Sequence, residues 1–335
     1  MLRITPSIYG EKVVQASTFT IEPGGSESNV AIALSLMGNR CGFITRLPGD
    51  VLSEKIIRYL KSYSLDISHI TIGGRRVGLY WAEIGTGPRA SQVFYDRAGS
   101  SFSEISYSDF DWNKIFTDTD WFHTSGISPA VSENVYITLK KIFTDISQNL
   151  RISIDLNYRS KLWEWAKKKQ LSVHKIMWEM CSNACLIIGN ETDFNDALGI
   201  QYGDIRTQDN YEEVASQCFK NLPHLEYVAI SLRESVSAGE NVWSGLLFAK
   251  ESNSIVAYKG LKIRITNIID RIGTGDSFAA GIIHGIINYK EDYQRTINFA
   301  VGLSALNHTV RGDASQFGIS DVEDFLKSPE VRIIR

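Results

Sequence analysis

The run DRIGTGD at 270–276 leads directly into an apolar segment, 279–287, with helical spacing. Two glycines around one residue at a helix start let the backbone turn tightly, so that several free N–H groups point at one spot, where the helix dipole adds positive potential. Such a spot binds phosphate or a developing anion, and the neighbouring carboxylate of Asp276 could accept a proton. The pattern could equally be an ordinary helix start capped by Asp276. It is not a dinucleotide GxGxxG loop, because Phe278 occupies the third glycine position.

A second glycine-rich run, GGSESN at 24–29, precedes a helix of small residues that the spacing predicts over Ser28–Met37. Gly24 and Gly25 permit a close backbone approach to a ligand, and the amide of Asn29 offers a donor and an acceptor to a polyol. Alone, this run could equally be a strand-to-helix turn.

The segments that must position these two runs alternate between strand-like and helix-like patterns. Short apolar segments separated by helical patterns predict a mostly parallel sheet with helices on both faces, an α/β fold. The predicted strands are Trp121–Thr124, Ile152–Leu156, Cys185–Ile188 and Tyr227–Leu232, and the predicted helices are Ser132–Phe143, Tyr211–Lys220, Asp276–Ile287 and Asp292–Asn307.

The amino-terminal part has a different pattern, in which apolar and polar residues alternate. It predicts a small antiparallel sheet with one wetted face, built from the separated stretches 2–24 and 73–99. Between them, Cys41–Thr45 is typical of a buried strand. No internal repeat or long linker appears, so we expect residues 1–335 to form a single α/β domain carrying this small sheet. The alternating segments are Val13–Ile21, Val77–Ile84 and Ser91–Tyr95.

Composition argues against several classes of function. The 335 residues include 35 Lys and Arg against 38 Asp and Glu, a net charge of −3. No long basic run offers the positive surface that nucleic acid or a membrane surface requires, and no apolar run reaches the roughly 20 residues that span a bilayer. We therefore expect a small-molecule partner and a cytoplasmic protein with reduced thiols, because four cysteines without CxxC spacing do not make a disulfide or zinc framework.

In this order and at this separation, GG…N and DxxGxGD resemble the two signatures of the ribokinase-like (PfkB) carbohydrate kinase family, and the similarity extends over nearly the whole chain. Within the family the sequence is most similar to the 2-keto-3-deoxygluconate kinases. The runs that carry this similarity are GLY at 78–80, VFYDR at 93–97, HTSGIS at 123–128, DLNYR at 155–159 and LW at 162–163.

The resemblance implies ATP-dependent phosphorylation of a sugar hydroxyl, here converting 2-keto-3-deoxygluconate to 2-keto-3-deoxy-6-phosphogluconate. It also implies a central, mostly parallel sheet between helices and a small β-sheet lid over the sugar, formed by about 2–24 and 73–99. The lid often provides a dimer contact, so we expect a homo-oligomer.

Roles for individual residues follow from the same resemblance. Asp276 matches the catalytic base, and Arg97 and Arg159 are placed to bind the carboxylate that distinguishes a sugar acid from a neutral sugar. The anion hole would be formed by Gly273, Thr274 and Gly275, and the sugar would lie against Gly24, Gly25, Asn29, Tyr80 and Tyr95.

The nucleotide and its metal are implied in the same way. The family's NxxE motif, which organises Mg2+ and its waters near the phosphates, corresponds to NETD at 190–193. Here Asp193 is one methylene shorter than the usual Glu, and Glu191 could compensate. ATP would lie near Gly273, Gly275, Asn190, Ser231, Arg233 and Asn307, with His308 beside the adenine.

Two departures from the family pattern bear on these expectations. Arg271 and Thr274 replace the usual Thr and Ala, although the backbone N–H groups of an anion hole are retained. Relatives carry, before the position of Met1, a further segment that forms a central first strand ending in an acidic residue near the sugar. Either the start is truncated or this protein does without that strand.

Two alternative functions stay open from the sequence. A PfkB kinase could act on another substrate, such as fructose, ribose or a different keto acid. The chain could also be a non-catalytic sugar- or nucleotide-binding descendant of these kinases, although the retention of Asp276 and of both glycines disfavours this.

Overall fold

The computed structural model describes residues 1–145, 150–201, 208–252 and 254–327. The strands are β1 (Leu2–Pro6), β2 (Phe19–Pro23), β3 (Thr45–Leu47), β4 (Ile70–Ile72), β5 (Leu79–Glu83), β6 (Gln92–Asp96), β7 (Trp121–Ser125), β8 (Arg151–Asp155), β9 (Leu186–Asn190), β10 (Tyr227–Ser237), β11 (Glu240–Glu251), β12 (Ser254–Lys259) and β13 (Ile263–Thr266). The helices are α1 (Ser26–Leu36), α2 (Val51–Ser62), α3 (Trp112–Phe116), α4 (Ile127–Val131), α5 (Glu133–Asp145), α6 (Glu164–Lys168), α7 (Val173–Cys181), α8 (Asp193–Leu198), α9 (Gln208–Asn221), α10 (Thr274–Asn288), α11 (Tyr293–Asn307) and α12 (Ile319–Lys327).

A seven-stranded sheet forms the centre, in the order β12-β11-β10-β9-β8-β7, with β13 paired to β11. The strands β7 to β10 are parallel, and each matches a strand predicted from the sequence to within a few residues. The strands β11, β12 and β13 extend the sheet with antiparallel pairings that the sequence analysis did not predict. Within the described part of the central sheet, parallel pairing is thus confined to β7–β10.

Apolar side chains cover both faces of this sheet. Along β9, Ile187 belongs to the cluster that includes α5, α7 and α9, while its neighbours Leu186 and Ile188 belong to the cluster around α10 and α11. Successive strand residues point to opposite faces, so an apolar run such as β9 is buried from both sides. The four helices predicted from 132 onward are confirmed with small shifts at their ends.

A second, four-stranded sheet has the order β2-β1-β5-β6. Its strands come from the stretches 2–24 and 73–99, but β1 pairs in parallel with β5, so the sheet is not antiparallel throughout. The strand predicted over Val13–Ile21 is wrong for its first half, because Val14 is 88% exposed and the backbone N–H of Val13 bonds to the side chain of Glu83. We refer to this four-stranded sheet as the lid sheet. That residues 1–335 form one domain with a lid stays a prediction.

A cavity separates the central sheet from β3 and β4, which form their own two-stranded parallel sheet. The cavity has a volume of about 1110 Å³ and is lined by β3, by β7 and by apolar side chains such as Leu34, Leu139 and Ile283. Within the described ranges, β7 pairs only with β8, and β3 only with β4. The strand predicted over Cys41–Thr45 is correspondingly reduced, since β3 starts only at Thr45.

The helix α1 confirms the prediction over Ser28–Met37, starting two residues earlier at Ser26. It ends where Gly38 adopts a positive φ of 83°, a conformation that glycine takes at little cost. Helix α1 packs against α10, which brings the two glycine-rich runs together. Among the described residues, no helix is long and apolar enough to cross a membrane.

Candidate active site

The two glycine-rich runs meet at the carboxylate of Asp276. Ser26 Oγ donates to Asp276 Oδ1 at 2.7 Å, and Asn29 Nδ2 donates to Asp276 Oδ2 at 2.7 Å. The residue before α10 is Gly273, whose φ is 82°, so Asp276 is not the cap of its helix. Both carboxylate oxygens of Asp276 are therefore held by α1.

Burial raises the pKa of Asp276 to about 6, and hydrogen bonds from Asn29 and Ser26 oppose this rise. The negative charges of Asp313 and Glu27 raise the pKa of Asp276 further. A carboxyl group with a pKa near 6 is ionised at neutral pH and yet takes up a proton readily.

The loop before α10 can take only glycine at position 273. A Cβ there would lie 1.7 Å from the backbone oxygen of Asp313, and the positive φ adds strain for other residues. Thr274 Oγ1 donates to the Arg271 carbonyl at 2.9 Å, and Ser304 Oγ donates to the Thr274 carbonyl at 2.7 Å. These contacts fix the first turn of α10, whose N–H groups have no partner within the helix.

The backbone at Gly24 lies very close to the side chains of Asp313 and Tyr80. A Cβ there would lie 2.5 Å from Asp313 Oδ2 and 2.9 Å from the Tyr80 hydroxyl. Tyr80 donates to Asp313, which places this predicted sugar contact in a buried polar network rather than leaving its hydroxyl free. Gly25 has a φ of 149° and lines the large cavity with Gly24.

Arg97 follows β6 and is only 9% exposed. Its guanidinium stacks on the ring of Tyr95, 4.3 Å from the ring centre. Its Nε and Nη1 atoms are buried and have no hydrogen-bond partner among the residues that the structure describes. Burial lowers the pKa of Arg97, while the charge of Glu27 favours the protonated form. Arg97 lines the same cavity as Gly24, Gly25 and Glu27.

Arg159, the other predicted carboxylate ligand, has a different environment. It is half-buried, and its Nη1 donates to the carbonyl of Tyr158 at 2.8 Å. Burial raises the pKa values of Asp155 and Asp193, and the charge of Arg159 opposes both rises. Arg159 thus offsets two buried carboxylates as well as lying near Arg97.

The predicted nucleotide residues Asn190 and Ser231 are neighbours across the ladder between β9 and β10. The exposed Arg233 follows on β10. Burial lowers the pKa of His308 to about 4, and the charges of Arg271 and Arg233 also lower it. Arg271 was noted in the sequence only as a departure, yet it contributes a cation to this region. Ser231 is 7% exposed.

Asn307 lies at the end of α11 with a fully buried side chain. Its Nδ2 and Oδ1 atoms have no hydrogen-bond partner within the described residues. The adjacent His308 is partnered through its Nδ1 atom, 2.8 Å from the carbonyl oxygen of Ser304.

Asp193 is held by backbone groups. Its oxygens accept from the N–H of Asn190 at 3.0 Å and from the N–H of Tyr158 at 3.2 Å. In the parts of the chain that the structure describes, no group of three His, Cys, Asp or Glu side chains could hold a metal ion. This donor set fits a divalent ion held through water and phosphate rather than one in a protein cage.

Sequence reasoning missed two acidic residues. Glu27 accepts from the Ser125 N–H, the Ser125 hydroxyl and the Ser128 hydroxyl, at 3.1, 2.7 and 2.6 Å. Asp313 lies beside Gly24 and Gly273. Glu27 belongs to the GGSESN run and could have been noticed there, whereas no motif marked Asp313.

Residues 2–317 match the model of the pfkB family carbohydrate kinases. The chain belongs to this family. The resemblance noted from the two motifs is therefore confirmed, and so is the ribokinase-like α/β fold, because solved structures of pfkB kinases superpose on nearly the whole chain.

This pfkB kinase is similar to several relatives and solved structures. The crystal structure of 2-dehydro-3-deoxygluconokinase from Thermotoga maritima has 33% identity and a TM-score of 0.90, over 98% of this chain and 97% of that one. A 2-dehydro-3-deoxygalactonokinase from Haloferax volcanii is 26% identical over 336 residues, covering 100% of this chain and 96% of the relative. A sugar kinase from Pyrococcus horikoshii, solved with ATP, shares the fold at 18% identity and a TM-score of 0.70, over 98% and 95% of the two chains.

Proposed function

We propose that this pfkB kinase transfers the γ-phosphoryl group of ATP to the 6-hydroxyl of 2-keto-3-deoxygluconate, the sugar acid also called 2-dehydro-3-deoxygluconate. The observation that carries the proposal is Arg97. Two donors of this buried guanidinium have no partner within the described ranges, which is costly, and a substrate carboxylate would satisfy them with charge-assisted hydrogen bonds. The names of the relatives from Thermotoga maritima and Haloferax volcanii support a keto-deoxy sugar acid.

In this proposal Asp276 is the general base. Its carboxylate accepts the proton of the 6-hydroxyl while that oxygen forms a bond to the γ-phosphorus, and the bond from that phosphorus to the β–γ bridging oxygen breaks to release ADP. The backbone N–H groups of Gly273, Thr274 and Gly275 donate to the phosphoryl oxygens as negative charge shifts in the transition state. Ser26 and Asn29 keep the carboxylate oriented before substrate arrives.

ATP would lie along the carboxyl ends of β9 and β10. Asn190, Ser231 and Arg233 would contact its phosphates. Asn307, whose buried amide has no partner among the described residues, would be placed near its base. Mg2+ bound to the phosphates would neutralise their charge, and Asp193 and Asn190 would act on the ion through its waters.

We also propose a cytoplasmic location and a homo-oligomer formed through the lid sheet. The cysteines Cys41, Cys181, Cys185 and Cys218 are all free, as expected in a reducing compartment. The outward face of the lid sheet exposes apolar side chains, with Phe94 49% and Ile21 43% exposed. An apolar sheet face of this kind is a common site of self-association.

A magnesium-dependent assay of ADP formation tests the proposed function. The panel should contain 2-keto-3-deoxygluconate, its galactonate epimer, fructose and ribose, because relatives of both epimer specificities are known and neutral sugars offer nothing to Arg97. We expect turnover with a keto-deoxy sugar acid and far less with neutral sugars. Faster turnover with fructose or ribose would overturn the substrate class, and no turnover with any sugar would favour the non-catalytic alternative.

A further inference from the structure

Arg3 is a buried arginine to which the proposed reaction, as described so far, assigns no role. It lies on β1 of the lid sheet and is 3% exposed. Its Nη2 is 2.5 Å from Asp270 Oδ2, its Nη1 is 2.7 Å from Asp313 Oδ1, and its Nε donates to Thr5 Oγ1 at 2.8 Å. All three nitrogens of the guanidinium are therefore occupied.

Both carboxylate partners of Arg3 hold the loop that precedes α10. Asp270 Oδ1 accepts from the N–H of Ile272 at 3.0 Å, which fixes the turn immediately before Gly273. The backbone of Asp313 lies against the other side of the loop, so close that Gly273 has no room for a Cβ. A single side chain of the lid sheet thus spans both supports of this loop.

The charges make this arrangement depend on Arg3. Asp270 and Asp313 are both buried, and two buried carboxylates at one guanidinium repel each other when that cation is removed. Burial raises the pKa of Asp270, and Arg3 opposes the rise. Without Arg3, one carboxylate would take up a proton or the loop would move to bring in water.

We propose that Arg3 is a positioning residue for the anion hole, holding Gly273–Gly275 in place through Asp270 and Asp313 and joining this loop to the lid sheet. This inference rests on the proposed phosphoryl transfer. Arg3 touches neither sugar nor nucleotide in this proposal, so it acts through Asp270 and Asp313 rather than by direct contact. Arg97, the predicted carboxylate ligand, lies after a different strand of the lid sheet, β6, and has other contacts than Arg3.

The consequence is a loss in kcat rather than in sugar binding. Anion-hole donors act on charge that develops in the transition state, so their displacement leaves ground-state binding of the sugar nearly unchanged. Arg3→Met should lower kcat on the order of 10²-fold, the loss typical of one misplaced donor, with the sugar KM within about threefold of the parent. Arg3→Lys should recover part of kcat, because an ammonium keeps the charge but not the two-point contact.

The matched control is Arg89→Met. Arg89 forms an ion pair with Glu83 at 2.7 Å in the same lid sheet, with 26% and 10% side-chain exposure, and does not reach the loop. We expect Arg89→Met to change kcat less than about threefold. Equal kcat losses in Arg3→Met and Arg89→Met, or a loss confined to the sugar KM, would overturn the proposal.

A second readout is independent of the substrate. In the full chain, Arg3→Lys should increase hydrogen exchange at the backbone amides of 272–276 by at least about tenfold, because local opening of the loop becomes easier. Unchanged exchange in a folded Arg3→Lys would overturn the role of Arg3. Faster exchange in a chain whose parent phosphorylates no sugar would overturn the proposed function and leave the loop assignment standing.

Discussion

The two walls of the candidate site differ in how their buried charges are satisfied. On the wall formed by α1 and α10, both oxygens of Asp276 accept hydrogen bonds from neighbouring side chains. On the wall beside the lid sheet, Arg97 is about as buried, yet two of its nitrogens have no hydrogen-bond partner in the described part of the chain. The first wall is complete before any ligand binds, whereas the second needs an acceptor from elsewhere.

This difference separates catalysis from recognition. A base that is already oriented costs no reorganisation when the phosphoryl group moves. A cation without a partner favours whichever ligand brings a carboxylate, because leaving it unpaired in a buried site is costly. In our proposal, the wall with Asp276 carries out phosphoryl transfer, and the wall with Arg97 selects a sugar acid.

The largest effect on kcat is expected at Asp276, on the wall formed by α1 and α10. Asp276→Asn should lower kcat by about 10²- to 10⁴-fold, the scale of a lost general base, because an amide cannot accept the hydroxyl proton. ATP binding, measured by calorimetry, should stay close to that of the parent. The near-isosteric amide can still accept from Ser26 or Asn29, so the thermal transition should move little.

A kcat for Asp276→Asn within threefold of the parent would contradict its role as the base. Asp321→Asn provides a control for a carboxylate outside the site, since it accepts from the Gly318 N–H at the start of α12. Its kcat should equal that of the parent.

A smaller effect is expected when one donor to Asp276 is removed. Ser26→Ala should raise the pKa of Asp276 above its value of about 6, because the hydrogen bond favours the ionised form. The base must be ionised to act, so the acid limb of the kcat profile should move to higher pH. Glu27, Asp313 and Asp155 face the same carboxylate as like charges and cannot replace the donor.

Ser35→Ala is the matched control on the same helix, because Ser35 Oγ donates to the carbonyl of Tyr63 far from the site. It should leave the acid limb in place. An acid limb that moves equally in both variants, or not at all in Ser26→Ala, would show that the profile reports another group.

The smallest effect is expected at the cavity between β3 and β7, which opens beside Met1 and Arg97. In the described ranges, one edge of β3 and one edge of β7 have no partner strand. An extended, β-branched segment joined before Met1 should pair with these edges and raise the melting temperature by about 2 °C or more, the shift from roughly 1 kcal/mol. The matched control carries two prolines in the same segment, which cannot donate to a ladder.

The same two extended chains show whether the partner of Arg97 comes from the protein or from the substrate. Equal melting temperatures for the two extended chains and the parent would show that the cavity is not a strand site. If the added segment abolishes the preference for sugar acids, the partner of Arg97 comes from the chain and not from the substrate.

The sequence predicted the parallel strands well, because β7 to β10 are short apolar runs buried on both faces. It did not predict β11 to β13. The long antiparallel β11 is buried along most of its length and lacks the alternation that marks a half-exposed strand. The first half of the strand predicted over Val13–Ile21 was wrong, because alternation also occurs in a loop that is held by Glu83 rather than by a ladder.

For the site, only the family resemblance predicted that the two glycine-rich motifs lie together. Nothing local in DRIGTGD or GGSESN indicates that Asp276 accepts from Ser26 and Asn29, 250 and 247 residues away. The buried network of Arg3, Asp270 and Asp313 was missed for the same reason, since its members are up to 310 residues apart. Such contacts are set by tertiary packing and not by spacing.

Recognition of the substrate carboxylate by Arg97 is tested by measuring kcat/KM for an acid substrate and for a neutral one. Arg97→Ala should lower kcat/KM for 2-keto-3-deoxygluconate by a factor that corresponds to a loss of transition-state stabilisation on the order of 2–4 kcal/mol. The kcat/KM for a neutral analogue of similar shape should change very little. Arg159→Ala should lower the values for both substrates, because Arg159 also offsets Asp155 and Asp193. Equal losses for acid and neutral substrates in Arg97→Ala would contradict the claim.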